Sequence, residues 1–419
     1  MMTCDLEKTD ERLQVAIQWP DLAAVLMMLA AMAASVLDGP FQFGVDFGHV
    51  KWGFFIGFLA YCLFRARRAP SCGLLSYSFF AFVLILTAST LVNSRELGQS
   101  IQRVFSFWIL YLIAFVFVVP GSPVGRLKLW SVAWMLLCAA MIVLSLGRAA
   151  FDPTGSFVNV RFRGIMANTN GLAGYAATFL VGAAALYFGR APGRYWWLGA
   201  MALGGFVLWA TQSRGAILGT AAALAVILGA GRRWVWIAVV VLALLSSGMF
   251  DKEGARDVPM PLIGSQKVRL RAYPLVRSRI RIWRGQWEVF LEKPILGHGM
   301  EVSEGAGRRP GPSSYSDILA ATGILGGLPF LLTLTLGTYW LYRRAVELPV
   351  GSRQAALARV ALGIVVQILV SSVGEGYMAA VGNGQALLVW VAMGAAGQEG
   401  PPGPAASETM ALPATGATV

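Results

Sequence analysis

The sequence predicts an all-α polytopic membrane protein with about twelve transmembrane helices, and three observations carry that reading. Of its 419 residues, 57% are hydrophobic and 13% are charged, about half the ~25% charged fraction of a soluble globular domain. Apolar runs such as Leu22 to Leu37, Leu74 to Val92 and Phe105 to Val119 approach the ~20 residues that cross a bilayer core. Short connections that are rich in arginine alternate with connections that are not. Backbone groups in lipid must be satisfied inside a helix or a closed barrel, and strict apolar–polar alternation is absent, so the runs read as helices.

Taken in order, the spans fall near residues 20–38, 50–64, 74–92, 101–119, 128–147, 168–188, 195–211, 215–230, 234–249, 316–341, 355–373 and 377–396. Every second connection is short and basic: Arg65/Arg67/Arg68, Arg126/Lys128, Arg190/Arg194, Arg232/Arg233 and Arg343/Arg344/Arg353. The positive-inside rule puts these connections in the cytoplasm, and an even number of spans then puts both termini there too. The expected organisation is a cytoplasmic segment over 1–19, nine helices over 20–249, a large outward loop over 250–315, three helices over 316–396 and a disordered cytoplasmic tail over 397–419. The amino-terminal segment mixes acids and bases (Asp5, Glu7, Lys8, Asp10, Glu11, Arg12) and lacks the pattern of a cleaved signal peptide, so the first span is expected to stay. In the tail, Leu412-Pro413-Ala414-Thr415-Gly416 is like a sorting signal but has no apolar segment or basic end after it. Gly53 and Gly57 form a small-xxx-small pair that suits close helix packing.

Some chemistries are excluded at once. Cys4, Cys62, Cys72 and Cys138 form no CxxC pair, and His49 and His298 are the two histidines, which leaves neither a disulfide framework nor a zinc or histidine-rich metal centre.

The outward loop from Phe250 to Ser314 breaks the charge pattern. It holds about twelve basic residues against about seven acids, an excess that short outward loops avoid and long ones tolerate. In Arg277-Ser278-Arg279-Ile280-Arg281-Ile282-Trp283-Arg284, a helix would put Arg277, Arg281 and Arg284 on one face and Ile280, Trp283 and Trp287 on another. Two readings stand: an amphipathic helix at the membrane surface whose arginines attract lipid phosphates, or arginines that grip a phosphate-bearing substrate through paired charge-assisted hydrogen bonds. Nucleic acid is a poor fit for a loop facing away from the cytoplasm. Further arginines lie at outward membrane edges. Arg161 and Arg163 precede the sixth span and Arg214 sits in Thr211-Gln212-Ser213-Arg214-Gly215; each either snorkels to water or joins a shared cationic cavity. Glu375 and Asn383 either line that cavity or cap helices.

These positions resemble the O-antigen ligase and polysaccharide polymerase superfamily of bacterial membrane glycosyltransferases. Phe162-Arg163-Gly164 followed by Asn168-Thr169-Asn170-Gly171 is similar to the family's F-x-G with paired asparagines, and Ser213-Arg214-Gly215 to its S-R-G turn. Arg279-Ile280-Arg281-Ile282-Trp283 and Pro294-Ile295-Leu296-Gly297-His298-Gly299 resemble its R-x-x-x-W and P-x-x-G-x-G elements, while Tyr315, Gly323 and Gly326 fit the helix that leaves the loop. One feature departs: where ligases of the family carry a His-Asn pair, this chain has Pro312 and Ser313. A polymerase or exopolysaccharide-specific member is therefore expected ahead of a lipid A–core ligase.

The resemblance implies a GT-C-like inner-membrane enzyme that moves glycan from a polyprenyl pyrophosphate to a glycan or lipid-linked acceptor at the periplasmic face. Membrane lipids and other polysaccharide assembly proteins are the further partners. Arg214 and Arg279 are assigned to the departing pyrophosphate, where fixed cations lower the barrier. Arg163, Asn168, Asn170, Arg281, Arg284, His298 and Tyr315 are assigned to substrate, with helix capping as the other reading of the asparagines. No metal or other cofactor is expected, since the outward loops lack an acidic motif of metal-binding spacing. The general base is open among His298, Glu288, Glu301, Asp317 and Glu375. Two other functions compete: a transporter or flippase of lipid-linked sugars, and a non-catalytic partner in a polysaccharide assembly machine.

Overall fold

A computed structural model describes residues 73–94, 97–116, 123–158, 161–166, 168–189, 193–229, 256–258, 268–270, 275–300, 313–348, 353–378 and 384–397, together with residue 30 and most positions from 53 to 64. The expected span at 234–249, nearly all of that at 20–38, both terminal segments, His49, Glu301, Pro312 and Asn383 lie outside the described residues.

The described chain is mostly helical. Helix α1 (Leu74–Asn93) is followed by α2 (Leu97–Tyr111), which runs on as a π-helical turn (Leu112–Val116), and by α3 (Pro123–Phe151). A short antiparallel hairpin, β1 (Phe157–Val158) and β2 (Arg161–Phe162), leads into α4 (Thr169–Phe188), α5 (Arg194–Thr211) and α6 (Arg214–Gly229). Two more short strands, β3 (Arg256–Val258) and β4 (Val268–Leu270), pair antiparallel ahead of α7 (Leu275–Glu292). Last come α8 (Ser314–Glu347), α9 (Arg353–Ser371) and α10 (Gly384–Gly397). Among the described residues, four stretches are long and apolar enough to cross a membrane: α1, Trp130–Phe151 of α3, α4 and α8. Shorter apolar helices are Ser100–Val116, Arg214–Leu228, Ala355–Ser371 and Gln385–Gly397.

Packing follows from small residues and rings. α4 is dense in alanine and glycine and lies between α5, α9 and α6; a Cβ at Gly204 of α5 would lie 3.2 Å from the backbone of Leu180. On the other flank, α1, α8 and α10 meet through Phe79, Phe82, Phe330 and Trp390, with ring centroids 4.5 Å apart for Phe79–Trp390 and 5.0 Å for Phe82–Phe330. A Cβ at Gly394 would lie 1.8 Å from Ala114 O, so α10 passes directly over the π-turn. Several hydroxyls inside the apolar helices return to their own backbone, as Thr87 does to Val83 O at 2.8 Å, and these are not left unpaired in an apolar surround.

The chain alternates between two ends of the bundle. Gly189 at the foot of α4 approaches Ala356, and Arg359 Nε donates to Ala345 O at 3.4 Å, so the α4, α8 and α9 ends meet there. At the other end Ser371 of α9 reaches Gly215 of α6, and Ser314 of α8 reaches Ser372 and Glu375.

Two elements differ from the sequence reading. The span expected at 377–396 begins at Gly384, because residues 372–378 form a turn that receives the start of α8: Ser314 N donates to Ser372 O at 3.1 Å and Glu375 O at 3.3 Å. The span expected at 316–341 is broken at Gly323, whose φ of 60° and ψ of −163° are not helical. The break is filled by the Pro294–Gly299 segment. His298 N and Gly299 N donate to Ala320 O and Ala321 O at 3.0 and 2.9 Å, and Ile324 N and Leu325 N donate to Pro294 O and Ile295 O at 2.8 and 3.2 Å. Every backbone group freed there that these bonds reach is satisfied, as burial requires. Three glycines with positive φ permit the approach. A Cβ at Gly323 would lie 2.2 Å from Ile295 O, one at Gly297 2.4 Å from Ala321 C, and one at Gly299 2.8 Å from Thr90 Cα. Ser89 Oγ and Thr90 Oγ1 of α1 complete the junction through Ala321 O (2.8 Å) and Met300 N (3.1 Å).

Gly323→Ala is expected to lower stability by about 1–3 kcal/mol or more, the cost of a strained backbone plus a clash. Thermal unfolding of the purified protein checks this, with Gly205→Ala, whose site has nothing within 4 Å, expected to leave the midpoint unchanged or raised.

Candidate functional site

The site end is built first by the turn after α3. Asp152 accepts from Gly155 N at 2.8 Å and Thr154 Oγ1 at 3.2 Å and lies 3.5 Å from Arg148 Nη2. Chiefly the Gly155 N–H holds its carboxyl below the ordinary carboxylate range. The β1–β2 hairpin then alternates: Phe162 goes into the core and packs on Phe157, ring centroids 5.3 Å apart, and Arg161 and Arg163 fall on the other side. Gly164 has φ +56°, and a Cβ there would lie 2.2 Å from Ser145 Cβ. The F-x-G element thus fastens the hairpin to α3. Arg163 Nε donates to Gly155 O at 3.0 Å and Arg148 Nη1 to Gly164 O at 3.3 Å, so both arginines close this turn.

Asn168 is the N-cap of α4, its Oδ1 accepting from Asn170 N at 2.9 Å. Asn170 does more. Its Oδ1 accepts from Arg161 Nη2 at 2.8 Å, its Nδ2 donates to Glu375 Oε1 at 2.7 Å, and its backbone oxygen accepts from Tyr377 Oη at 2.7 Å. Arg161 Nε also donates to Thr211 O at 2.9 Å, at the last residue of α5. Gln212 follows with φ 51°, the one non-glycine with positive φ among the described residues, and Arg214 then opens α6. A strained turn, held between Arg161 and the start of α6, is the kind of local cost that persists where the surroundings over-determine it. A buried chain holds the far side of the turn. Ser371 Oγ donates to Gly215 O (3.1 Å), Gln367 Nε2 to Ser371 Oγ (3.1 Å) and Thr178 Oγ1 to Gln367 Oε1 (3.0 Å). Gly219 makes room, since a Cβ there would lie 2.4 Å from Ser371 Oγ.

The start of α8 is fixed to the same region. Ser314 Oγ donates to Glu375 O at 3.2 Å and accepts from Met378 N at 2.8 Å, and Tyr315 Oη donates to Leu369 O at 2.9 Å. α7 leans on α8 through Gln286, which donates through Nε2 to Asp317 Oδ1 and accepts from Ser316 Oγ. Arg103 of α2 lies within electrostatic reach of Asp317. His298 Nε2 is 3.0 Å from Val289 O and 3.6 Å from Glu292 Oε2, which ties the glycine-rich segment to α7. Two adjoining cavities, about 420 and 320 Å³, share Trp283, Ser316 and Leu319. Arg284, Gln286 and Trp287 line the first; Ser313, Tyr315, Ile318, Phe330 and Leu331 line the second, which therefore descends along α8 from hydroxyls into hydrocarbon.

Of the residues singled out in the sequence, Asn168, Asn170 and Glu375 meet in one network with Arg161, and Arg214 begins the helix next to it. Arg163 and His298 sit in neighbouring structural junctions, and Tyr315 and Arg284 line the cavities. The side chains of Arg279 and Arg281 lie outside the described residues. Sequence reasoning named Arg161 as an edge arginine that either snorkels or joins a cationic cavity but did not count it among the site residues, although strand alternation around Phe162 was a usable signal. It also missed Gln286, whose partners Ser316 and Asp317 are about thirty residues away. Among the described residues no three His, Cys, Asp or Glu side chains gather as metal ligands would.

Asn170→Ala is expected to cost more stability than Asn168→Ala: the first removes two bonds to charged groups, worth about 1.5–3 kcal/mol each, and the second one cap, about 1 kcal/mol. Thermal melts of the two variants rank them.

No curated protein matches the chain. Residues 199–331 match the family model described as O-antigen ligase, a stretch running from α5 through the Arg214 turn and α7 to the broken start of α8. This match bears out the resemblance seen in the sequence: over residues 199–331 the chain is similar to the O-antigen ligase family.

Proposed function

We propose that the protein is an inner-membrane glycosyltransferase that polymerises or transfers polyprenyl-pyrophosphate-linked glycan repeats at the periplasmic face, in exopolysaccharide or O-antigen biosynthesis. The observation that carries the reading is the Arg161–Asn170–Glu375 network beside the Arg214 turn, at the end of the bundle where α7 and the start of α8 also meet. The proposed frame has twelve spans, with 1–19 and 397–419 in the cytoplasm and 250–315 outward. It is supported by the basic residues Arg194, Arg343 and Arg344 lying at the end opposite that network.

In this reading the acceptor hydroxyl attacks the anomeric carbon, its bond to the pyrophosphate oxygen breaks, and the hydroxyl proton passes to a carboxylate. Arg214 and Arg279 meet the negative charge that grows on the pyrophosphate, without a divalent ion. Arg281, Arg284 and Tyr315 contact the donor, and Asn168, Arg163 and His298 act through the backbone that they hold. Glu375 is the base we assign, because Asn170 holds it and Arg161 on opposite edges of one amide. The polyprenyl tail follows the apolar cavity along Ile318, Phe330 and Leu331. Transfer to a lipid A core or a protein is the variant in which only the acceptor differs. A broken span favours transport in principle. Here the break at Gly323 is bonded by the 294–299 segment, which supports transfer ahead of transport.

Arg214→Ala and Arg279→Ala are each expected to lower transfer by roughly 10²–10³-fold and to abolish polymer at unchanged membrane levels; unchanged polymer yield and length in both rejects the assignment. Purified protein given a lipid-linked donor in EDTA should still transfer, and the product identifies the acceptor.

A further inference from the structure

Helix α7 shows three distinct sides. Gln286 and Phe290 are buried against α8. Arg284, Glu288 and Glu292, spaced by four, are exposed. Between them Trp283, Trp287 and Leu291 form an apolar row that is 37%, 53% and 55% exposed, and Ile295 just beyond the helix is 64% exposed. Trp287 packs one side of its ring on Phe290, centroids 4.9 Å apart, yet the outer side of the row stays exposed, and an exposed apolar row in water is costly.

We propose that this row is a membrane-docking surface: α7 lies in the headgroup–acyl boundary of the phospholipid leaflet on the site side, with Trp283, Trp287, Leu291 and Ile295 in lipid. Continuity identifies the occupant. The backbone oxygen of Ile295 accepts from Leu325 N at 3.2 Å and that of Pro294 from Ile324 N at 2.8 Å, so the row runs into Ile324 and Leu325, which face outward from the membrane-spanning helix α8. Next to it Lys293 Nζ donates to Asn93 Oδ1 at 2.8 Å, where the exposed Leu91 and Val92 end α1. The charged row beside the apolar one reaches headgroups and water, and tryptophan suits that boundary because it joins an apolar body to a polar N–H. A glycan-stacking platform would use the indoles but leaves Leu291 and Ile295 unexplained. The docking sets the depth of α7 beside the bundle. It rests on α1 and α8 spanning a bilayer and not on the reaction proposed above.

The test places the photo-crosslinker p-benzoylphenylalanine at Trp287, Leu291, Glu288 or Glu292 in the full chain, reconstituted in vesicles of phosphatidylethanolamine and phosphatidylglycerol. Irradiation and mass spectrometry should find phospholipid adducts at 287 and 291 about tenfold above those at 288 and 292, the periodicity of a helix lying in the interface. Equal adducts at all four positions, or none at 287 and 291, overturns the proposal. So does a cross-link from 287 or 291 to a second copy of the chain. Loss of transfer activity with the adduct pattern intact would count against the reaction alone.

Discussion

Asn170 is the residue on which the site end depends. A carboxamide offers an acceptor and donors on one rigid plane, and here that plane takes Arg161 on one edge and Glu375 on the other while the backbone oxygen takes Tyr377. Three separate pieces of chain are joined by one side chain: the hairpin before α4, the start of α4 itself, and the turn between α9 and α10. Through Arg161 the junction extends to the end of α5, and through the 372–378 turn to the start of α8. Charged groups in a partly buried setting are costly unless bonded, and this arrangement bonds a cation and an anion to one amide.

A second constraint, entirely of backbone, shapes the other half. The Pro294–Gly299 segment fits the gap in α8 because three glycines remove the Cβ atoms that would collide with it. The P-x-x-G-x-G pattern is therefore explained by packing: its glycines admit Ala321 and Thr90, and its histidine holds α7. The same segment ends the apolar row of α7, so the helix that carries Arg279 is fixed to the spanning bundle at its carboxyl end.

Much of this was visible in hydropathy. Apolar runs without proline gave α1, α4, α5 and α6 within a residue or two of their limits, because a continuous apolar segment is itself the signal of such a helix. Gly323 could not be read as a break, since glycine is common inside membrane helices and only the distant 294–299 segment reveals its role. The late start of α10 has a similar cause: the residues before it are taken by Ser314, some sixty positions earlier. Within the site, capping by Asn168 was legible from local sequence, but the Asn170–Glu375 bond spans 205 residues and leaves no local pattern. Arg277, Arg281 and Arg284 drew attention by their spacing, and of these Arg284 lines a cavity.

The central claim is that Arg214, in the turn beside this network, receives a diphosphate. Calorimetric titration of geranylgeranyl pyrophosphate into the purified protein tests it most directly, because binding is read apart from transfer. Loss of one arginine–phosphate pair, worth about 1.5–3 kcal/mol, predicts roughly ten- to hundredfold weaker binding by Arg214→Ala than by the unaltered chain. Equal affinity in the two proteins would contradict the account.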